Sequence, residues 1–150
     1  ENASIFMPKT CIYRIFLLFK FYIKYLNNKK MKSSYKLEFT KKERLENSTK
    51  LIEKNKGQIP VICEKDEKSK MKALIKTKYL IKKEITVDQF IGTLRRKLQL
   101  DSNDALFLLA NCQNNKYAIV GTESIGSIYD KYKDEDGFLY IIYSNEKVWG

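Results

Sequence analysis

The strongest periodic signal in the chain lies between Thr86 and Gln99. Val87, Phe90, Ile91, Leu94 and Leu98 fall at i, i+3, i+4, i+7 and i+11, which puts them on one buried helical face. Thr86 and Gln89 have capping-box spacing, so each side chain can satisfy the other's free backbone N–H. A second helix is predicted over Thr40–Gly57. Thr40 and Glu43 repeat the capping spacing, Leu45, Thr49 and Ile52 recur at helical intervals, and Gly57 suits the stop. Ser33–Phe39 reads as a short helix before it.

Period-two and continuous apolar runs supply the strands. Ile59–Glu64 (IPVICE) is β-branched, and Pro60 within it argues for an edge or strand-end position. Lys78–Lys82 (KYLIK) is a second strand. Ala105–Ala110 (ALFLLA) reads as a strand buried on both faces. Tyr117–Val120 is a shorter strand and Ile125–Tyr132 a helical turn. Phe138–Tyr143 (FLYIIY) has strong β-propensity. Asp66–Lys72 is a charged loop. In the turn Lys133–Gly137, Asp134, Glu135 and Asp136 read as a solvated acidic cluster.

The order is helix, strand, strand, helix, strand, strand, turn, strand. It predicts an α+β fold, a ubiquitin-like β-grasp with an N-terminal helical extension, in which the long amphipathic helix covers one sheet face. The domain is expected over 31–143, with a tail at 144–150. Function does not follow from the fold, which hosts many roles.

Residues 1–30 stand apart. They hold six basic residues against Glu1, giving +5 of the chain's +11. The stretch Cys11–Leu26 (CIYRIFLLFKFYIKYL) is apolar but interrupted by Arg14, Lys20 and Lys24. A membrane span needs roughly 18 consecutive apolar residues, which this lacks, and no small-residue cleavage site accompanies it. Three readings stay open: upstream sequence outside the mature chain, Met31 being a sensible start; a targeting segment; or a membrane-surface helix with snorkelling lysines.

The basic balance favours acidic partners without choosing among nucleic acid, lipid and peptide. Cys11, Cys63 and Cys112 match no metal or redox spacing, and the chain has no histidine. A Cys–His pair and a His-ligated zinc are therefore excluded. No metal site and no cofactor are expected. With no phosphate-cradling glycine loop either, an enzyme is disfavoured. Arg95–Lys97 is basic but not interleaved with aromatics, so nucleic-acid binding is not expected.

Seven stretches then carry a family resemblance: MKSSYK (31–36), IPVICEK (59–65), KYLI (78–81), ITVDQF (85–90), LRRKLQL (94–100), DALFLL (104–109) and YKDEDGFLYIIYS (132–144). They resemble, in order, the autophagy ubiquitin-like modifiers of the GABARAP and microtubule-associated light-chain family. The resemblance implies a tag rather than an enzyme. The carboxyl of Gly150 would be adenylated by an activating enzyme, passed as a thioester through enzyme cysteines, and joined in an amide to phosphatidylethanolamine. Glycine suits a carboxyl that must thread narrow active sites. The ending Trp-Gly, not Gly-Gly, speaks against protein modifiers of the ubiquitin type, and the resemblance implies a form that needs no protease trimming before activation. The chain would be monomeric before conjugation. Autophagosomes are the implied membrane, a plastid-like organelle the alternative.

The resemblance also implies binding of adaptor proteins through aromatic-x-x-aliphatic motifs, added as a strand to Lys78–Lys82. Leu51, Pro60, Ile62, Lys78, Leu80 and Phe138 would line the aromatic pocket. Tyr79, Ile81, Ile85, Phe90 and Leu94 would line the aliphatic one, with Phe90 and Leu94 mostly core but each showing an exposed edge. Lys76 and Lys78 would meet acidic flanking residues. Departures from the family pattern stand at Asn47, Gln58 and Lys82, and in the Asn55-Lys56 pair. Lys82 restores a backbone N–H where the family usually carries proline. The polar loop Asn111–Ser124 has no assigned role.

Overall fold

A proline at position 60 sits inside an interior strand of a five-stranded mixed sheet, whose order is β2-β1-β5-β3-β4. The strands are β1 (Gln58–Lys65), β2 (Lys78–Lys82), β3 (Phe107–Cys112), β4 (Asn115–Ala118) and β5 (Leu139–Ser144). β1 pairs antiparallel with β2 and parallel with β5, while β3 is antiparallel to both β5 and β4. The computed structural model describes residues 15–20 and 33–146. It divides into two units, Glu1–Lys32 and Ser33–Gly150. In the first, residues 15–20 form a helix, α1, and the rest of Cys11–Leu26 lies outside the described residues.

The edge expectation for Pro60 is therefore corrected, and the ladder shows why proline is tolerated. The Cys63 N–H donates to the Thr77 carbonyl at 2.8 Å, so odd-numbered β1 residues direct their backbone groups at β2. Pro60 turns its nitrogen toward β5, where pairing begins only at Val61↔Leu139. No ladder bond is lost.

The helices are α2 (Ser34–Glu38), α3 (Lys41–Lys54), α4 (Val87–Leu98) and α5 (Ile125–Tyr132). Both expected capping boxes form, Thr40 with Glu43 and Thr86 with Gln89. α4 buries Val87, Phe90, Leu94 and Leu98 against Ile59, Val61, Cys63, Leu139 and Ile141. α3 is turned the other way from its apolar spacing. It buries Arg44 and Ser48 and leaves Leu45 46% and Ile52 39% exposed.

The reason is the acidic turn, which is not simply solvated. Asp136 has no exposed surface. It accepts from Arg44 Nε at 2.7 Å, from the Tyr140 hydroxyl at 2.7 Å and from the Phe138 N–H at 3.1 Å. Asp134 and Glu135 pair with Lys36 and Lys41. A buried carboxylate requires a cation and hydrogen bonds, and α3 supplies the cation.

β3 lies two residues later than the apolar run ALFLLA. Its burial alternates, with Leu108 and Ala110 inside and Phe107 and Leu109 half-buried, so only one face is fully covered. Gln113 and Asn114, both at positive φ (50° and 66°), close the β3–β4 hairpin inside what reads as a polar loop. Asp66, also fully buried, receives Lys116 Nζ at 2.5 Å and ties that hairpin to the end of β1.

Candidate strand-docking site

β2 is an edge strand, and the backbone alternation decides what its edge offers. Thr77 accepts from Cys63 and Lys83 donates to Gly57, so odd-numbered residues of this strand face β1. The N–H groups of Lys78, Leu80 and Lys82 face away from β1. So do the carbonyls of Lys78 and Leu80, whereas that of Lys82 accepts from Ile85 in a tight turn at 3.2 Å.

Side chains divide by the same alternation. Across the β1–β2 ladder, Ile62↔Lys78 and Pro60↔Leu80 share one face, and Val61↔Tyr79 and Ile59↔Ile81 share the other. On the first face Ile62 and Phe138 cluster with Tyr35 and Tyr140, and Leu51 and Phe39 pack against them. On the second, Ile81, Phe90 and Leu94 belong to the main core, with Tyr79 and Ile85 packed against it. The sequence-predicted residues are thus brought into two sets on opposite faces of one edge strand.

Exposure separates rim from floor. Leu80 is 37% exposed, Lys76 and Lys78 are exposed, and Leu51, Tyr79 and Ile85 are half-buried. Ile62, Phe138 and Leu94 have no exposed surface, Phe90 and Ile81 are buried, and Pro60 is buried too. The expected exposed edge of Leu94 is absent, and that of Phe90 is almost closed at 3%. Leu94 sits on the centre of the α4 stripe, and the Phe90 ring is covered edge-on by Tyr79 at 5.9 Å.

Tyr79 links the two chemistries of the second face. Its hydroxyl donates to the Lys76 carbonyl at 2.6 Å. Burial pushes its phenol up to about 12, so it remains a neutral donor near pH 7. Lys97 Nζ lies 5.7 Å from its ring. On the first face Lys78 Nζ lies 6.0 Å from the Tyr35 ring. Both faces of β2 are therefore flanked by cations over aromatic surface.

Tyr35, Phe39 and Lys97 are missing from the sequence-predicted set. The i, i+4 spacing of Tyr35 and Phe39 was their available signal, and their rings meet at 4.8 Å. Arg95, from the basic triplet, is spent internally, donating to the Asp101 and Asp104 carbonyls. Gly150 lies outside the described residues. No group of potential metal ligands occurs among the described residues, and no described helix is long and apolar enough to cross a membrane.

Comparison with known proteins agrees with this architecture. The family model for "Autophagy protein Atg8 ubiquitin like" matches residues 43–150. Autophagy-related protein 8 of Vanderwaltozyma polyspora is 38% identical over 120 residues, spanning 80% of this chain and 98% of the relative. That of Saccharomyces cerevisiae is also 38% identical over 120 residues, spanning 80% and 99%. The crystal structure of Trypanosoma brucei ATG8 superposes with a TM-score of 0.70 at 36% identity, covering 80% of this chain and all of that one.

Proposed function

Because the chain belongs to the Atg8 family of autophagy ubiquitin-like proteins, we propose that it is a modifier joined through Gly150 to phosphatidylethanolamine and that it recruits adaptors along β2. The observation that carries the recruitment reading is the division of apolar side chains across the two faces of that edge. In an extended peptide, residues three apart point to opposite faces. An aromatic-x-x-aliphatic segment paired with β2 sends its aromatic side chain toward Leu51 and Leu80 and its aliphatic one toward Tyr79 and Ile85. The main chain supplies hydrogen bonds to Lys78 and Leu80, and the side chains supply selectivity. Lys76 and Lys78 attract acidic residues beside the motif, each such exposed pair contributing about 0.2–1 kcal/mol. The membrane in this reading is that of the autophagosome.

The attachment chemistry needs partner enzymes. Activation makes an acyl-adenylate at the Gly150 carboxyl with release of pyrophosphate. An enzyme thiolate displaces AMP, and the lipid amine finally displaces the thiolate to leave an amide. Incubating the chain with activating and conjugating enzymes, ATP and phosphatidylethanolamine vesicles tests this by mass spectrometry. A lipid adduct on Gly150 is expected. Its absence, or an adduct that survives Gly150→Ala, overturns the reading.

A further inference from the structure

We propose that the segment around α1 is a second membrane contact, one that lies flat on an anionic lipid surface and needs no conjugation. In α1, five successive large apolar side chains are open to solvent: Ile15, Phe16, Leu17, Leu18 and Phe19 are 54–67% exposed. A contiguous run of this kind marks an interaction surface. Lys20 stays with this surface, its Nζ 5.8 Å from the Phe16 ring, so a cation and an apolar face are presented together.

Charge selects the occupant. Residues 1–30 carry Lys9, Arg14, Lys20, Lys24, Lys29 and Lys30 against the single acid Glu1. A protein groove of mixed charge has no call for that excess, whereas an anionic leaflet attracts each cation near its surface. Insertion across the bilayer is disfavoured, because Arg14, Lys20 and Lys24 leave no apolar run near 18 residues. A short helix that presents exposed aromatic and aliphatic side chains beside a lysine rests in the headgroup boundary.

The family model matches residues 43–150 and so leaves α1 outside it. The contact lies outside the family match, and it stands independently of the Gly150 chemistry.

Flotation of the full chain, without conjugating enzymes or ATP, tests it. The vesicles are phosphatidylcholine alone or phosphatidylcholine mixed with phosphatidylserine. The chain is expected to float with the anionic vesicles and much less with the neutral ones, and added salt weakens it. Lys20→Gln with Lys24→Gln lowers partitioning by roughly tenfold or more. Leu18→Asp with Phe19→Asp abolishes it. Gly150→Ala leaves it unchanged, which separates this contact from lipid conjugation. Thermal melts of the variants match the parent chain, because Leu18, Phe19 and Lys20 are exposed. Equal flotation of parent and both double variants overturns the proposal. So does the absence of flotation, or self-association through α1 that vesicles do not compete away.

Discussion

Arg44 and Asp136 form a buried ion pair at 2.7 Å that joins α3 to the turn before β5. The guanidinium also donates to the Phe39 carbonyl at 2.6 Å. The pair therefore fixes the α2–α3 junction beside the aromatic face of the docking edge. Burial first, and then the Asp136 carboxylate, push the Tyr140 phenol far upward, so it stays the proton donor in this network.

Asp136→Ala strands the buried Arg44 cation and orphans the Tyr140 hydroxyl. Breaking such a pair costs about 3–5 kcal/mol, or a fall in Tm of roughly 10–20 °C. Differential scanning calorimetry measures it. A fall no larger than that of Glu135→Ala, whose pair with Lys41 is exposed, would show that Asp136 is not the linchpin.

The inverted face of α3 yields a contrast. Leu45→Ser and Ile52→Ser, on the exposed side, change stability by less than about 0.5 kcal/mol. Ser48→Leu costs about 1–3 kcal/mol through overpacking. Ser48 Oγ already donates to the Asp136 carbonyl at 2.5 Å and sits 2.5 Å from where a Cβ on Gly137 would lie. Urea melts that reverse this order would refute the orientation of the helix.

Asp66 gives the fold an acid-sensitive element. Burial pushes its carboxyl up, but the Lys116 ammonium and the Lys68 N–H outweigh burial and hold it below the ordinary 3.8. A depressed folded-state value contributes stability above the unfolded pKa and loses it as pH falls through the folded value, below 3.8. Lys116→Met removes the ammonium, so the variant is less stable at neutral pH and its acid-unfolding midpoint moves upward. Circular dichroism against pH reads both. An unchanged midpoint contradicts the pairing.

Much of this was legible in the chain, for physical reasons. α4 announces itself because its apolar stripe, its capping box and its burial against the sheet agree. The KYLIK strand was legible as an edge through the family resemblance, and its two-faced residue sets follow from period-two alternation. Asp136 was not legible, because adjacent acids in a turn look alike until the fold buries one. Arg44 and Lys116 were hidden for the same reason, since a lysine or arginine among 29 basic residues carries no local mark of the carboxylate it meets. The Gln113–Asn114 turn was obscured because neither residue is glycine. The α3 stripe misleads about burial because a polar requirement of the core outweighed a stripe with only two large apolar side chains.

The two faces of the docking edge contribute separately. Leu80→Asp and Ile85→Asp each weaken an acidic-flanked aromatic-x-x-aliphatic peptide by about tenfold or more, or about 1.4 kcal/mol and upward. Lys76→Ala and Lys78→Ala weaken it less, and salt masks their effect. Isothermal titration calorimetry distinguishes the two classes. Equal losses at all four positions would point to a charge-driven contact instead.

Amide hydrogen exchange along β2, with and without that peptide, tests the strand-docking account most directly. The N–H groups of Tyr79 and Ile81 face β1 and are protected in both states, whereas those of Lys78 and Leu80 face outward. The account predicts that the peptide slows exchange at Lys78 and Leu80 and leaves Tyr79 and Ile81 unchanged. Tight peptide binding with Lys78 and Leu80 exchanging as fast as before would contradict it.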